Sequence, residues 1–283
     1  LSWKGKGRFL AERWIRPVMK SDPGADLSVA DFVRRRLGTE VLDRLVGPLV
    51  AGIYTADIEQ LSMQATMGPI AKMEREHGSL ARATAARRRS GKDSVERGSS
   101  GARYEQFRAF QGGMIELIRT LADALPEDVA RTGTPVDAFQ RHEGQWQLRT
   151  GDTTASFDHL IVAAPPTHAA RLLRPVAPAA AQQLDEIQSA STAIVVLGVQ
   201  RADIRDNIDT FGFVVPPCER RKILAGSFAS HKFDGRSPDD KVLIRVFIGG
   251  MLQPDLVDLS DDELIQLARD ELGDLIGLQG EPI

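Results

Sequence analysis

The chain reads as an α+β fold in which a helical lobe and a mixed-sheet lobe are interwoven along 283 residues. Two patterns predict it. The first quarter carries apolar residues at helical spacing between capping signals, and the final third carries short alternating strand patterns. A third observation, an apolar content of 42%, allows a sizeable core and more than one lobe.

The elements follow in order. Residues 1–20 are basic, and K-G-K-G-R around Gly5 and Gly7 follows no apolar strand, so it reads as a loop. Ser28 and Asp31 form an S-x-x-D capping box ahead of a buried stripe of Phe32, Val33 and Leu37, which Gly38 ends. Thr39 and Glu40 open a second helix with Val41, Leu42, Leu45, Val46, Leu49 and Val50 on one greasy face. At Gly52 and Tyr54 the pattern breaks into a non-helical step, then resumes behind Ser62 with Met63, Met67, Ile70 and Met73. A buried helix that stops at Gly exposes backbone and can hand a carbonyl or N–H to a ligand. The small, basic stretch from Ser79 to Tyr104 reads as a solvated, mobile insertion, or as a surface for anionic lipid head groups or an acidic partner.

A new unit starts at Phe107. Gly112 and Gly113 precede a helix with Met114, Leu117, Ile118, Leu121 and Leu125 inward, stopped by Pro126. Strands over 136–140 and 145–149 flank the turn His142-Glu143-Gly144, a hairpin signal. Leu160 to Ala164 is continuously apolar, as in a central strand covered on both faces. Strand patterns recur at 193–199, 211–215, 223–229 and 242–248, the last with Leu243, Arg245 and Phe247 on one face. Ser260 and Glu263 then cap a helix with Leu264, Leu267, Ala268, Leu272 and Leu275 on its apolar side.

Composition narrows the function. A net charge of −3 excludes a dedicated nucleic-acid binder. The lone Cys218 offers no disulfide framework and fits a reducing, cytoplasmic setting. The five histidines lack metal-ligand spacing, and no apolar run approaches the roughly 20 residues that span a bilayer.

Residue identity says more. P-L-V-A-G-I-Y-T-A-D-I-E-Q-L-S-M (Pro48 to Met63), preceded by F-V-R-R-R-L-G-T-E-V, resembles the oxygen-dependent protoporphyrinogen/coproporphyrinogen oxidase family, within the flavin amine oxidase superfamily. F-R-A-F-Q-G-G-M-I-E-L, D-H-L-I-V-A-A-P, F-G-F-V-V-P-P and V-F-I-G-G follow in that family's order. The resemblance implies FAD as cofactor, a porphyrinogen substrate, molecular oxygen as acceptor, peripheral membrane contact and a homodimer of the full protein. It implies three regions: 1–105, a helical substrate- and membrane-facing lobe with a basic insertion at 81–103; 106–170, part of an FAD-binding domain; and 171–283, the substrate-domain sheet and helices. By resemblance the Gly52 carbonyl meets the substrate pyrrole N–H groups, and Val214, Ser227, Phe228 and Phe247 hold the macrocycle. Val136 would pair its backbone with the adenine edge of FAD. The G-x-G-x-x-G dinucleotide motif and the family's closing Gly-rich segment have no counterpart, so the chain is expected to be the middle of an enzyme. An amine oxidase or carotenoid desaturase shares several of these motifs, and the missing dinucleotide motif leaves a non-enzymatic interaction domain as a third reading.

Overall fold

The computed structural model describes residues 1–19, 26–89 and 109–283. These form two compact units, one of residues 1–108 with 190–283 and one of residues 109–189.

In the larger unit, α1 (Trp3–Leu10) occupies the stretch expected as a loop. Ser2 caps it, and Gly5 takes part because Glu40 lies where a Cβ would stand. The Ser28 and Ser62 caps form as the sequence predicts, opening α2 (Val29–Arg36) and α5 (Met63–His77). Between them α3 (Thr39–Val41) runs through a π-helical turn (Leu42–Val46) into α4 (Gly47–Tyr54). That extra residue in the turn rotates the expected greasy face, leaving Leu45 and Leu49 exposed while Val41, Leu42 and Val50 stay buried. The basic stretch begins as a helix, α6 (Leu80–Arg89), with Ala83 buried; the rest of it, with Phe107 and Arg108, lies outside the described residues.

A charge cluster holds these helices. The fully buried Arg36 bonds Glu12 at 2.7 Å and Glu74 at 2.8 Å, and reaches the Gly78 carbonyl. Desolvation works against the Glu12 carboxylate, but backbone N–H groups of Ala81 and Leu80, then Arg36 and Ser79, together hold its pKa below the ordinary value.

The smaller unit holds α7 (Ile115–Asp123), the antiparallel sheet β1 (Ala138–His142), β2 (Gln145–Thr150) and β3 (Thr153–Phe157), then α8 (Pro166–Leu173) and α9 (Pro178–Asp185). The hairpin forms where expected, but its turn is Glu143 and Gly144 alone, both at positive φ, because His142 pairs with Gln145. Two expectations fail here. The stripe of α7 is not buried, with Ile118 and Leu121 more than half exposed. Leu160 to Ala164 forms no strand, because no described strand pairs with it, and Ile161 is 90% exposed.

The second sheet belongs to the larger unit and runs β4–β7–β6–β5, from β4 (Thr192–Gln200), β5 (Gly212–Val214), β6 (Ala225–Phe228) and β7 (Lys241–Gly249). It is antiparallel throughout rather than mixed. A short α10 (Ala229–Lys232) ends the predicted 223–229 strand early. One sheet face, with Val195, Leu197, Val199, Val242, Ile244, Val246 and Ile248, packs with Leu264, Ala268 and Leu272 of α11 (Asp261–Ile276), whose Ser260–Glu263 capping box is complete.

Candidate functional site

The other face of this sheet is open, and its register aligns most of the residues the sequence singled out. Ile194, Phe247, Ala225 and Val214 lie opposite one another across the four strands. One step along, Val196, Arg245, Ser227 and Gly212 form a second row. Cross-strand partners share a face, so these eight residues present one surface. Three of its apolar members are uncovered for residues of their kind, Ile194 at 47%, Val196 at 53% and Val214 at 37%, while Phe247 is half-buried and Ala225 is buried.

Helix α4 comes down beside this surface. A methyl added at Gly52 would stand 3.2 Å from Val214 Cγ1 and 4.0 Å from Ala225 Cβ, so the helix backbone sits against the first row. The Gly52 region differs from the expected non-helical step. Gly52 and Tyr54 are the last turn of α4, and the chain leaves the helix at Thr55, a C-cap in the left-handed region. The consequence for the backbone is the one expected, because a helix's last carbonyls lack intrahelical partners. Thr55 N–H bonds Ala51, its hydroxyl bonds the Tyr54 carbonyl, and the Gly52 carbonyl accepts no bond among the described residues. The break is pinned from the sheet: Met251 N–H donates to the Thr55 carbonyl at 2.9 Å. Gly250, at φ 77°, lets that carbonyl approach to 2.8 Å of where a Cβ would be. The A-G-I-Y-T and V-F-I-G-G motifs therefore meet in space.

Phe228 is not brought into this surface. It lies on the core face opposite Ile244, is 2% exposed, and borders a cleft of about 450 Å³ with Phe213, Ile208 and Arg221, which Val214 also lines. Ser227 is on the open face but almost buried. Sequence reasoning missed Ile194, Val196 and Ala225 as members of the surface, and treated Arg245 only as a charged neighbour of Phe247. Strand alternation could have flagged the exposed members of β4, but which strand pairs with which is a tertiary fact.

In the smaller unit, Val136 lies just before β1 at the lip of an apolar pocket of about 500 Å³, lined by Phe139, Leu148, the 160–165 segment, His168 and Leu172. Neither its N–H nor its C=O bonds another described residue, whereas the next residue, Asp137, donates to the Arg149 carbonyl. Among the described residues, Val136 thus presents a free main-chain donor and acceptor side by side above an apolar slot.

With this geometry in hand, comparison with known proteins is decisive. The model of the flavin containing amine oxidoreductases matches residues 2–283. The chain belongs to that family. It is 33% identical to the coproporphyrinogen III oxidase of Propionibacterium freudenreichii subsp. freudenreichii, over 100% of this chain and 56% of that protein. It is 29% identical to protoporphyrinogen oxidase 2, chloroplastic/mitochondrial, of Arabidopsis thaliana, over 100% of this chain and 60% of the relative. A crystal structure assigned as a protoporphyrinogen oxidase, from Exiguobacterium sp. 255-15, superposes with a TM-score of 0.80 at 26% identity, over all of this chain and 58% of that one. The chain thus spans less than two thirds of these relatives. The family's cofactor is a flavin, FAD. Among the described residues, no helix is long and apolar enough to cross a membrane, and no cluster of His, Cys, Asp or Glu is placed to hold a metal.

Proposed function

We propose that this chain forms the substrate-binding part of an FAD-dependent oxidase that converts a porphyrinogen, protoporphyrinogen IX or coproporphyrinogen III, to the porphyrin in haem biosynthesis. The observation that carries this reading is Gly52, whose carbonyl has no partner among the described residues, packed against the apolar row of Val214, Ala225, Phe247 and Ile194. A porphyrinogen is a broad apolar ring whose inner edge offers only pyrrole N–H donors. One acceptor at the rim of an apolar wall suits it, whereas an amine oxidase has a small cationic substrate to hold.

In this reading Gly52 accepts from a pyrrole N–H and orients the macrocycle. Phe247 stacks on a pyrrole ring, Val214 packs beside it, and Ser227 lies in the neighbouring row. Phe228 contributes from behind, holding β6 on the core. Val136 pairs its main chain with the adenine of FAD. The bound flavin supplies the hydride acceptor and molecular oxygen the terminal one; the protein's share is positioning and exclusion of water. Arg82, Arg87, Arg88 and Arg89 of α6 are the residues we assign to peripheral contact with anionic lipid.

Anaerobic mixing tests the reading. Bleaching of the flavin absorbance of the intact protein by coproporphyrinogen or protoporphyrinogen, and not by primary amines, is expected. Bleaching by an amine alone would transfer the site to the amine oxidases.

A further inference from the structure

Arg245 is an odd resident of the open sheet face. Its neighbours there are Val196 and Ser227 across the strands and Phe247 two residues on, over whose ring the guanidinium sits at 5.3 Å from the centroid. It is exposed, and no described carboxylate pairs with it. Arg36 of the same unit, by contrast, is fully buried between two carboxylates. A second cation feels its charge. Lys232, at the end of α10, has its ammonium pKa held below the ordinary value by desolvation and then by the charge of Arg245. Ser227, the direct partner of Arg245 in the register, makes no hydrogen bond through Oγ among the described residues. Cross-strand partners have Cβ atoms about 5 Å apart. A guanidinium fork and a largely buried hydroxyl with no described partner therefore stand side by side at the edge of an apolar wall, which is a carboxylate-binding arrangement.

We propose that Arg245, with Ser227 Oγ beside it, binds a propionate of the porphyrinogen and thereby favours coproporphyrinogen over protoporphyrinogen. The inference rests on the porphyrinogen reading above and adds to it the choice of substrate. The propionates are the only anionic groups such a substrate carries. Coproporphyrinogen has one on every pyrrole, so whichever ring stacks on Phe247 brings a carboxylate towards the guanidinium lying over that same aromatic ring. Protoporphyrinogen has them on two adjacent pyrroles only, so half of the ways of seating it leave Arg245 facing a vinyl group. Seatings that cover the guanidinium without an anion are disfavoured, so protoporphyrinogen binds through half as many orientations, a disadvantage of about twofold.

The test is to compare the wild-type flavoprotein with Arg245→Gln and Arg245→Lys. Steady-state kinetics would be measured on both porphyrinogens, and fluorescence titration on the products coproporphyrin III and protoporphyrin IX. A charged hydrogen bond is worth about 1.5–3 kcal/mol, so R245Q should weaken coproporphyrin binding and raise KM for coproporphyrinogen by at least about tenfold, with kcat little changed. The dicarboxylate should lose about half as much, roughly fivefold, since its bound population keeps to the seatings that use the site. R245K, which keeps the charge and loses the fork, should fall between. All three proteins should melt together, since the side chain is exposed. Equal coproporphyrin affinity in wild type and R245Q would overturn the proposal, as would equal losses for both porphyrins. Wild-type protein that binds coproporphyrin in an Arg245-dependent way, yet turns over neither porphyrinogen, would instead remove the oxidase reading and leave the carboxylate site standing.

Discussion

The two faces of the β4–β7 sheet are made from the same strands and the same kinds of residue, yet they do opposite things. On one, Val242, Ile244, Val246 and Ile248 are all but inaccessible, packed under α11. On the other, the alternating residues of the same strand are Leu243, Arg245 and Phe247, aligned with exposed Ile194 and Val196. The first face stabilises the unit through apolar burial, at about 25 cal/mol per Å². The second leaves that gain unrealised, and a single helix end, at Gly52, stands over its edge. Apolar surface held open on a well-supported sheet is what a large apolar ligand needs.

Substitutions on the two faces should therefore part company. The largest effect is expected at Phe228, on the closed face. Phe228→Ala should cost about 3–5 kcal/mol of stability, read from denaturant unfolding, because the site is enclosed by packed neighbours. A loss below about 1 kcal/mol would mean that Phe228 is not core and would return it to the ligand surface. On the open face, Phe247→Ala should instead raise KM for porphyrinogen about tenfold while shifting the melt by less than the equivalent of about 1 kcal/mol. A large melting shift with unchanged KM would erase the distinction between the faces.

Gly52→Ala tests the helix that meets the open face. Its methyl would crowd Val214 Cγ1 at 3.2 Å, and β5 is a three-residue edge strand able to yield. Folding should be nearly unaffected, whereas turnover should drop by about an order of magnitude as Val214 is pushed towards the macrocycle. Unchanged kinetics with intact flavin content would make this stretch a plain helix end. The smallest effect is expected for Val196→Thr, at the margin of the open face, with stability within about 0.5 kcal/mol of wild type by thermal melt. A clear destabilisation there would show that Val196 is covered in the intact protein.

Much of this was legible in the chain itself, for physical reasons that are local. The caps at Ser28, Ser62 and Ser260 are satisfied by backbone N–H groups three residues away, so a short window of sequence contains both partners. The Glu143-Gly144 turn needs two positive φ angles, and Gly144 takes one of them without steric cost. Alternation along β7 separated Phe247 from Val246 and Ile248 for the same reason, since a strand's two faces follow from its own geometry. The family, too, was written in motifs.

Tertiary structure decided what depends on partners distant in the chain. Leu160 to Ala164 carries a strand's composition but pairs with no described strand, and α7 has an amphipathic pattern with no described surface to bury it. The π-turn at Leu42–Val46 turned Leu45 and Leu49 outwards, a one-residue change in hydrogen bonding that periodicity cannot register. Phe228 and Phe247 look alike as strand aromatics; only the pairing of β6 with β7 sends one to the core and the other to the open face. Arg245 became notable for the same reason. The sequence determined that it shares a face with Phe247, and only the packed sheet shows that it has Ser227 beside it and no described carboxylate to meet, because charge pairing is set by through-space neighbours rather than by position along the chain.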